Sequence, residues 1–281
     1  MRFNSLQLKL NNQLIDLSTP VVMGIVNVTP DSFFKGNRFL TDKAILLAVE
    51  KMLTDGATII DIGGYSTRPQ SEVISQDEEI RRVSQGLDII LKKYPDILLS
   101  VDTFRSGVAR NLAKNYRIAM INDVSGGTLD DLMFETIADL QLAYVLMHMR
   151  GTPNTMQLNT LYEDVVSEVL HFLEKRLAQL HLLGVTDVVI DPGFGFAKTI
   201  EQNYLLLNKL NYFQQLNVPV LAGISRKSML TKVLEIETSE ALNATTAANM
   251  LALVGGASIL RVHDVREAMQ TISIYNKYLK S

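Results

Sequence analysis

ATIIDIGG at residues 57–64, ILLSVD at 97–102 and IAMIND at 118–123 share one design: a short apolar run that stops on a carboxylate or an amide. The design recurs along the chain. The run 21–26 ends at Asn27, 143–147 ends at His148, and 188–190 ends at Asp191. The run 218–224 leads into Ser225-Arg226-Lys227, and 258–262 carries Arg261 and ends at His263. Apolar residues at helical spacing fill the intervals 42–53, 77–92, 105–114, 129–140, 162–183, 201–216, 240–254 and 264–279. Eight strand-then-helix units of this kind predict an α/β fold, a (β/α)8 TIM barrel. Such a barrel places its chemistry at the C-terminal ends of the strands. Those ends are where the polar residues stand.

The start, LQLKLNNQLIDL at residues 6–17, alternates apolar and polar residues around Asn11-Asn12. This predicts a β-hairpin closing the barrel floor, within residues 1–19, and not a secretion signal. The 281 residues are then expected to form one domain, with 47% hydrophobic residues sufficient for its core. No run reaches the length of a membrane span. The chain has no cysteine, which excludes disulfides and thiolate catalysis and fits a cytoplasmic setting. With a net charge of −3, non-specific binding to nucleic acid or to an anionic membrane is not expected.

Two segments after early strands, 28–41 and 63–76, are long and rich in Gly, Pro, Ser and Asp or Arg, as mobile lids are. Against the acidic background, Arg68, Arg226, Lys227, Arg261 and His263 gather at strand ends, a pattern suited to a phosphate or diphosphate. A single such cation is ordinarily just solvated surface. Several at one end of the barrel favour an anion site. Asp102, Asn122 and Asp191 offer the other half of a site, because a carboxylate accepts paired N–H groups and an amide both donates and accepts at a ring edge. A strand-terminal Asp also caps helices, a reading that stays open for Asp102. Asn27 is either a weak Mg²⁺ ligand or a turn residue ahead of Thr29-Pro30. DPGFGF at 191–196 is glycine-rich but is no phosphate-binding loop; Phe194 and Phe196 there either pack on a flat ligand or fill the core.

In order along the chain, MGIVNVTPDSF (23–33), DIGGYSTRP (61–69), SVDT (100–103), INDVSGG (121–127), LMHMRGTP (146–153), DPGFGFAKT (191–199), GISRKSM (223–229) and RVHDV (261–265) resemble the dihydropteroate synthase family. The resemblance implies a single pterin-binding barrel domain over 1–281. It also implies condensation of a dihydropterin methyl diphosphate with 4-aminobenzoate, Mg²⁺ as cofactor, sulfonamides as inhibitors and a homodimer. By the same resemblance, Asp102, Asn122, Asp191, Lys227, Met147 and Gly223 hold the pterin. Asn27, Thr67, Arg261 and His263 hold the diphosphate, with the metal at Asn27. Phe33, Thr67, Arg68, Pro69 and Ser228 form the aminobenzoate site, and Lys227, Arg68 and Asn27 are the catalytic set. The chain departs from the family pattern at Phe34–Asn37, at Tyr65, where Glu is frequent, and at Gln70, all in the two long loops. A pterin-binding methyltransferase domain shares the ring-edge residues but has no use for Arg261 and His263. A silent pterin-binding paralogue has no use for the full set Asn27, Arg68, Lys227 and His263.

Overall fold

The computed structural model describes residues 6–29, 38–67 and 71–280. In chain order these form β1 (Gln7–Leu10), β2 (Gln13–Asp16), β3 (Val21–Asn27), α1 (Arg38–Thr54), β4 (Ile59–Gly63), α2 (Gln76–Lys93) and β5 (Leu99–Asp102). Then come α3 (Ser106–Asn115), β6 (Met120–Asp123), α4 (Met133–Leu140), β7 (Ala143–Met147), α5 (Val165–Leu182), β8 (Val188–Asp191) and α6 (Ile200–Asn208). The chain finishes with β9 (Leu221–Ala222), α7 (Ser228–Leu234), α8 (Leu242–Val254), β10 (Ile259–Val262) and α9 (Val265–Leu279). β3 to β10 make one parallel sheet in the order β8-β7-β6-β5-β4-β3-β10-β9. A parallel bridge between Ile190 and Val220 joins β8 to the segment entering β9 and closes the barrel. The predicted (β/α)8 architecture is therefore the one observed.

The helices begin where local chemistry satisfies their free N–H groups. Ser75 accepts from Glu78 N–H ahead of α2, whose first turn carries Asp77, Glu78 and Glu79 and whose last turn carries Lys92 and Lys93. That charge order suits the helix dipole. Asp164 accepts from Val166 and Ser167 N–H to start α5, and Thr199 and Gln202 form a capping box on α6.

Several boundaries differ from the periodicity. α4 starts at Met133, not 129, because Asp130 spends its carboxylate on Ser106 N–H (2.7 Å) and Leu132 N–H (3.0 Å), which holds a turn there. The predicted helix 201–216 divides: α6 stops at Asn208 and a 3₁₀ segment, Leu210–Leu216, follows. The expected strand 218–224 narrows to Leu221–Ala222, and the short helix α7 went unanticipated.

β1 and β2 pair antiparallel across a turn in which Asn11 takes a left-handed φ of 55°. Leu8, Leu10 and Leu17 are buried against Met23, Ile59, Met120, Val145, Val189, Leu221 and Ile259, which point into the lower barrel. The hairpin thus plugs the floor, and Lys9 N–H donates to Asp187 to fix it (2.7 Å). A second, larger apolar shell, with Val49, Leu87, Ile137, Leu173 and Leu253, lies between strands and helices. Leu10→Ala should cost about 2–5 kcal/mol of stability, the range for a buried leucine, while leaving the opposite mouth intact. Denaturant unfolding and ligand titration of the variant check the two halves of that statement.

Candidate active site

Side chains alternate along a strand, so every second residue of a barrel strand faces the interior. Two residues above the apolar floor, that alternation delivers a polar layer. Ile59 is followed in phase by Asp61, Met120 by Asn122, Val189 by Asp191, Leu221 by Gly223, and Ile259 by Arg261 and His263. Strand register then sets neighbours side by side: Asn27 pairs Gly63, Gly63 pairs Asp102, Asp102 pairs Asn122, and Met147 pairs Asp191.

The layer is knit by one largely buried cation. Arg261 donates from Nε to Asp61 Oδ2 (2.6 Å) and from Nη2 to Asp102 Oδ2 (2.7 Å). The same Asp61 Oδ2 accepts Asn122 Nδ2 (2.9 Å). Because Asp61 can only accept, it fixes the Asn122 amide with its nitrogen towards Asp61 and its carbonyl oxygen turned away. Asp61 is wholly buried, and its Oδ1 has no hydrogen-bond partner among the described residues. Burial pushes the Asp102 carboxyl above the ordinary carboxylate range, and Arg261 opposes the shift. Burial works against the Arg261 charge, but Asp61 and Asp102 hold its pKa above the ordinary value.

A second cluster lies across the mouth. Asp191 Oδ1 accepts Gly193 N–H (2.7 Å), and burial raises its pKa against the pull of Lys227. Lys227 Nζ donates to Phe194 O and stands 4.7 Å from the Phe196 ring centroid. Burial lowers its pKa to about 8, with Asp191 opposing. A Cβ on Gly223 would lie 3.7 Å from Asp191 Oδ2 and 3.8 Å from Lys227 Nζ, so glycine keeps the space between carboxylate and ammonium open. A Cβ on Gly63 would likewise meet Asp102 Cβ at 3.3 Å and Asn27 Oδ1 at 3.7 Å, which sets Asn27 beside Asp102. Met147 is buried with Val124, Met149, Met156 and Ala197 in an apolar wall that Phe104 and Phe196 extend.

Other expected residues take different places. His263 is exposed, and its Nδ1 lies 3.0 Å from Ser225 Oγ, which ties the end of β10 to the loop before α7. Ser228 is exposed at the first position of α7, and Thr67 is half-buried in the loop after β4. Arg226 does not join the cationic rim. Its guanidinium clamps Asp264 through two bonds of 2.8 Å and reaches the carbonyls of Thr238 and Ser239. Phe194 is core, with no exposed surface, and only Phe196 borders the mouth. Phe33, Arg68, Pro69, Phe34–Asn37 and Gln70 lie outside the described residues. Tyr65 is buried edge-on to Phe104 (5.2 Å between centroids) with the Arg105 guanidinium 5.3 Å from its ring. Arg105 in turn is paired with Glu79 (2.8 Å).

Two residues of the site escaped the sequence. Asp61 was visible only as the end of an apolar run; its phase with Asn122 and Arg261, two residues above the floor, was the available signal. Lys198, a lysine in a glycine-rich loop, carries no signal of burial, yet it is 4% exposed.

The arrangement gathers the acceptors and donors of Asp102, Asn122, Asp191 and Lys227 at the strand ends of the barrel, with His263 just beyond β10. A family model described as pterin binding enzyme matches residues 23–263. The dihydropteroate synthase of Haemophilus influenzae is 42% identical over 272 residues, 96% of this chain and 98% of that protein. A Yersinia pestis dihydropteroate synthase, solved as a sulfonamide drug complex, superposes with a TM-score of 0.89 at 34% identity, covering 98% of this chain and 100% of that one. The Xanthomonas albilineans enzyme with 4-aminobenzoic acid gives 0.89 at 36% identity, covering 99% and 100%. The class defined by this fold and site is that of pterin-binding barrel enzymes, and within it the chain belongs to the dihydropteroate synthase family.

Asp61→Ala should destabilise the fold by about 3–5 kcal/mol, since it leaves the buried Arg261 short of one carboxylate and Asn122 without its acceptor. Denaturant titration measures this, and a loss below about 1 kcal/mol would remove Asp61 from the network described.

Proposed function

We propose that this protein condenses (7,8-dihydropterin-6-yl)methyl diphosphate with 4-aminobenzoate, giving 7,8-dihydropteroate and diphosphate. One observation carries the reading: Asp102, Asn122, Asp191 and Lys227, buried or half-buried, stand together at the strand ends of a barrel whose β10 leads into His263. An oriented amide oxygen, two carboxylates and an ammonium match the alternating donors and acceptors of a pterin, with Met147 and Gly223 shaping the walls. The methyltransferase and silent-paralogue readings are not favoured, because relatives of matching length are dihydropteroate synthases.

The chemistry is displacement at an exocyclic methylene. The C–O bond to diphosphate breaks, its electron pair leaves with the diphosphate, and the aniline nitrogen supplies the pair for the new C–N bond. The amine then loses one proton to solvent. The cation developing on the methylene is delocalised into the pterin, so the path is SN1-like and needs no strong base. Arg261 and His263, on one face of β10, take the inner and outer parts of the leaving group. Thr67 and Arg68 approach from the loop after β4, and Phe33, Pro69 and Ser228 complete the aminobenzoate site, as the family resemblance implies. Positioning and fixed charge each lower such a barrier by several kcal/mol.

Mg²⁺ fits this donor set as a substrate-borne ion. Among the described residues no group of three or more His, Cys, Asp or Glu is arranged to hold a metal. The Asn27 amide oxygen, at the mouth beside Asp102, is the single protein ligand that an ion carried by diphosphate and water requires. Bound there, the ion would neutralise leaving-group charge. A homodimer is supported by exposed apolar side chains on adjacent helices: Val233 and Leu234 of α7, Leu251 and Val254 of α8, and Ile274 and Leu279 of α9. A cytoplasmic location accords with the cysteine-free sequence, and no helix among the described residues is long and apolar enough to cross a membrane.

The direct test is release of diphosphate. It should require both substrates and Mg²⁺; release independent of 4-aminobenzoate would reject the condensation. A second test uses pH. Lys227 donates to the pterin as an ammonium, which exists below its pKa of about 8. Pterin affinity should therefore fall as pH rises through about 8, losing the about 1.5–3 kcal/mol of a charge-assisted bond. Calorimetry of wild-type and Lys227→Met protein checks this: the variant should be weak and free of that step.

A further inference from the structure

The segment between β8 and α6 has no regular structure, yet each of its carbonyls from 193 to 197 accepts a side-chain hydrogen bond. Gly193 O and Phe196 O each accept from Lys198 Nζ at 2.9 Å. Phe194 O accepts from Lys227, Gly195 O from Gln157 (3.3 Å), and Ala197 O from the Tyr162 hydroxyl (3.0 Å). Gly193, Gly195 and Ala197 alternate in left-handed conformation, with φ of 74°, 80° and 51°, which turns successive carbonyls to different sides. Lys198 Nζ fills the concave side of the turn and lies 3.0 Å from His148 Nδ1 at the end of β7. A Cβ on Gly193 would fall 2.0 Å from His148 O, so the two strand ends touch backbone to backbone there. The bond between Nζ and Nδ1 contains one proton; whichever nitrogen holds it, Nζ has two N–H groups for the two carbonyls.

We propose that Lys198 is a positioning residue for the pterin pocket: it binds the loop's carbonyls from within as a tethered cation would, so that Phe194 O holds Lys227 and Gly193 N–H holds Asp191. This deepens the function proposed above and rests on it, since the two residues being held are the ones assigned to the pterin. Nothing in a purely packing role for Lys198 requires its amine to sit at bonding distance from two carbonyls of that loop. Its burial lowers its pKa well below the ordinary lysine value, with Asp191 opposing, which accords with an amine kept from water.

The test reads Lys227 itself. In the folded protein the pH midpoint for acylation of Lys227, followed by peptide mass spectrometry, should be about 8, with Asp191, Asp102, Arg261 and Lys198 the charged groups facing it. Lys198→Met removes the tether while keeping an apolar stem. Once the loop loosens and water reaches Lys227, the midpoint should move towards the ordinary lysine value of about 10.4. Pterin affinity should fall about tenfold, as for one lost charge-assisted bond, with the KM for 4-aminobenzoate changed by less than about twofold. Because the chain has no cysteine, Lys198→Cys alkylated with bromoethylamine restores an amine of lysine length, whereas propyl bromide restores shape alone; only the first should rescue. A folded Lys198→Met protein with an unchanged Lys227 midpoint overturns the proposal. If that variant does not fold, the propylated Lys198→Cys protein takes its place, and an unchanged midpoint there overturns it equally. The midpoint needs no substrate, so wild-type protein that binds no pterin would fail the proposed function while leaving this result readable.

Discussion

The paired bonds of Arg261 to Asp61 and Asp102 are the constraint that organises the rest of the mouth. They join β10, β4 and β5 from inside the barrel. A guanidinium in that position needs its carboxylates, since an unpaired buried charge costs several kcal/mol. In return it presses three strands into a common polar layer and, through Asp61, sets which way Asn122 faces. The order of donors and acceptors on the β4–β6 side of the candidate site therefore descends from this ion pair.

The two halves of the pocket are built by different means. On the β4–β6 side, rigid strands and a salt bridge do the work. On the β8–β9 side, an irregular loop is held by lysine amines, a tyrosine hydroxyl and a glutamine amide. Loops of this kind need their backbone groups satisfied locally because no sheet ladder does it for them. Both solutions give fixed polar atoms, but the second is spread over many single bonds, each worth about 0.5–1.5 kcal/mol.

Much of this was legible in the sequence because a barrel strand is short and strictly alternating. The runs ending at Asn122 and Asp191 and the run carrying Arg261 marked those residues as strand ends, and the structure sets them two residues above Met120, Val189 and Ile259 of the floor. The floor plug of Leu8 and Leu10 followed from the same period of two. What stayed hidden were matters of partner choice. Arg226 and Arg261 look alike in the chain, but Asp264 captures the first for architecture while the second stays in the site. Asp61 bonds Arg261, 200 positions away, and Lys198 reaches His148, 50 positions away, which no local pattern encodes. The interval 201–216 keeps helical periodicity across Lys209, whose non-helical φ of −105° and ψ of 17° divide it into an α-helix and a 3₁₀ segment.

The barrel is closed unevenly. Seven of its neighbouring strand pairs share a ladder, but β8 and the approach to β9 meet at the single bridge between Ile190 and Val220. Asp191 lies one residue beyond that bridge on one side, and Gly223 and Lys227 lie shortly beyond it on the other. A ring held by Asp191 and Lys227 at once would span the seam and act as a stitch across it. The empty barrel would then breathe along this line first, and filling the pocket would finish a wall that the backbone leaves half sewn.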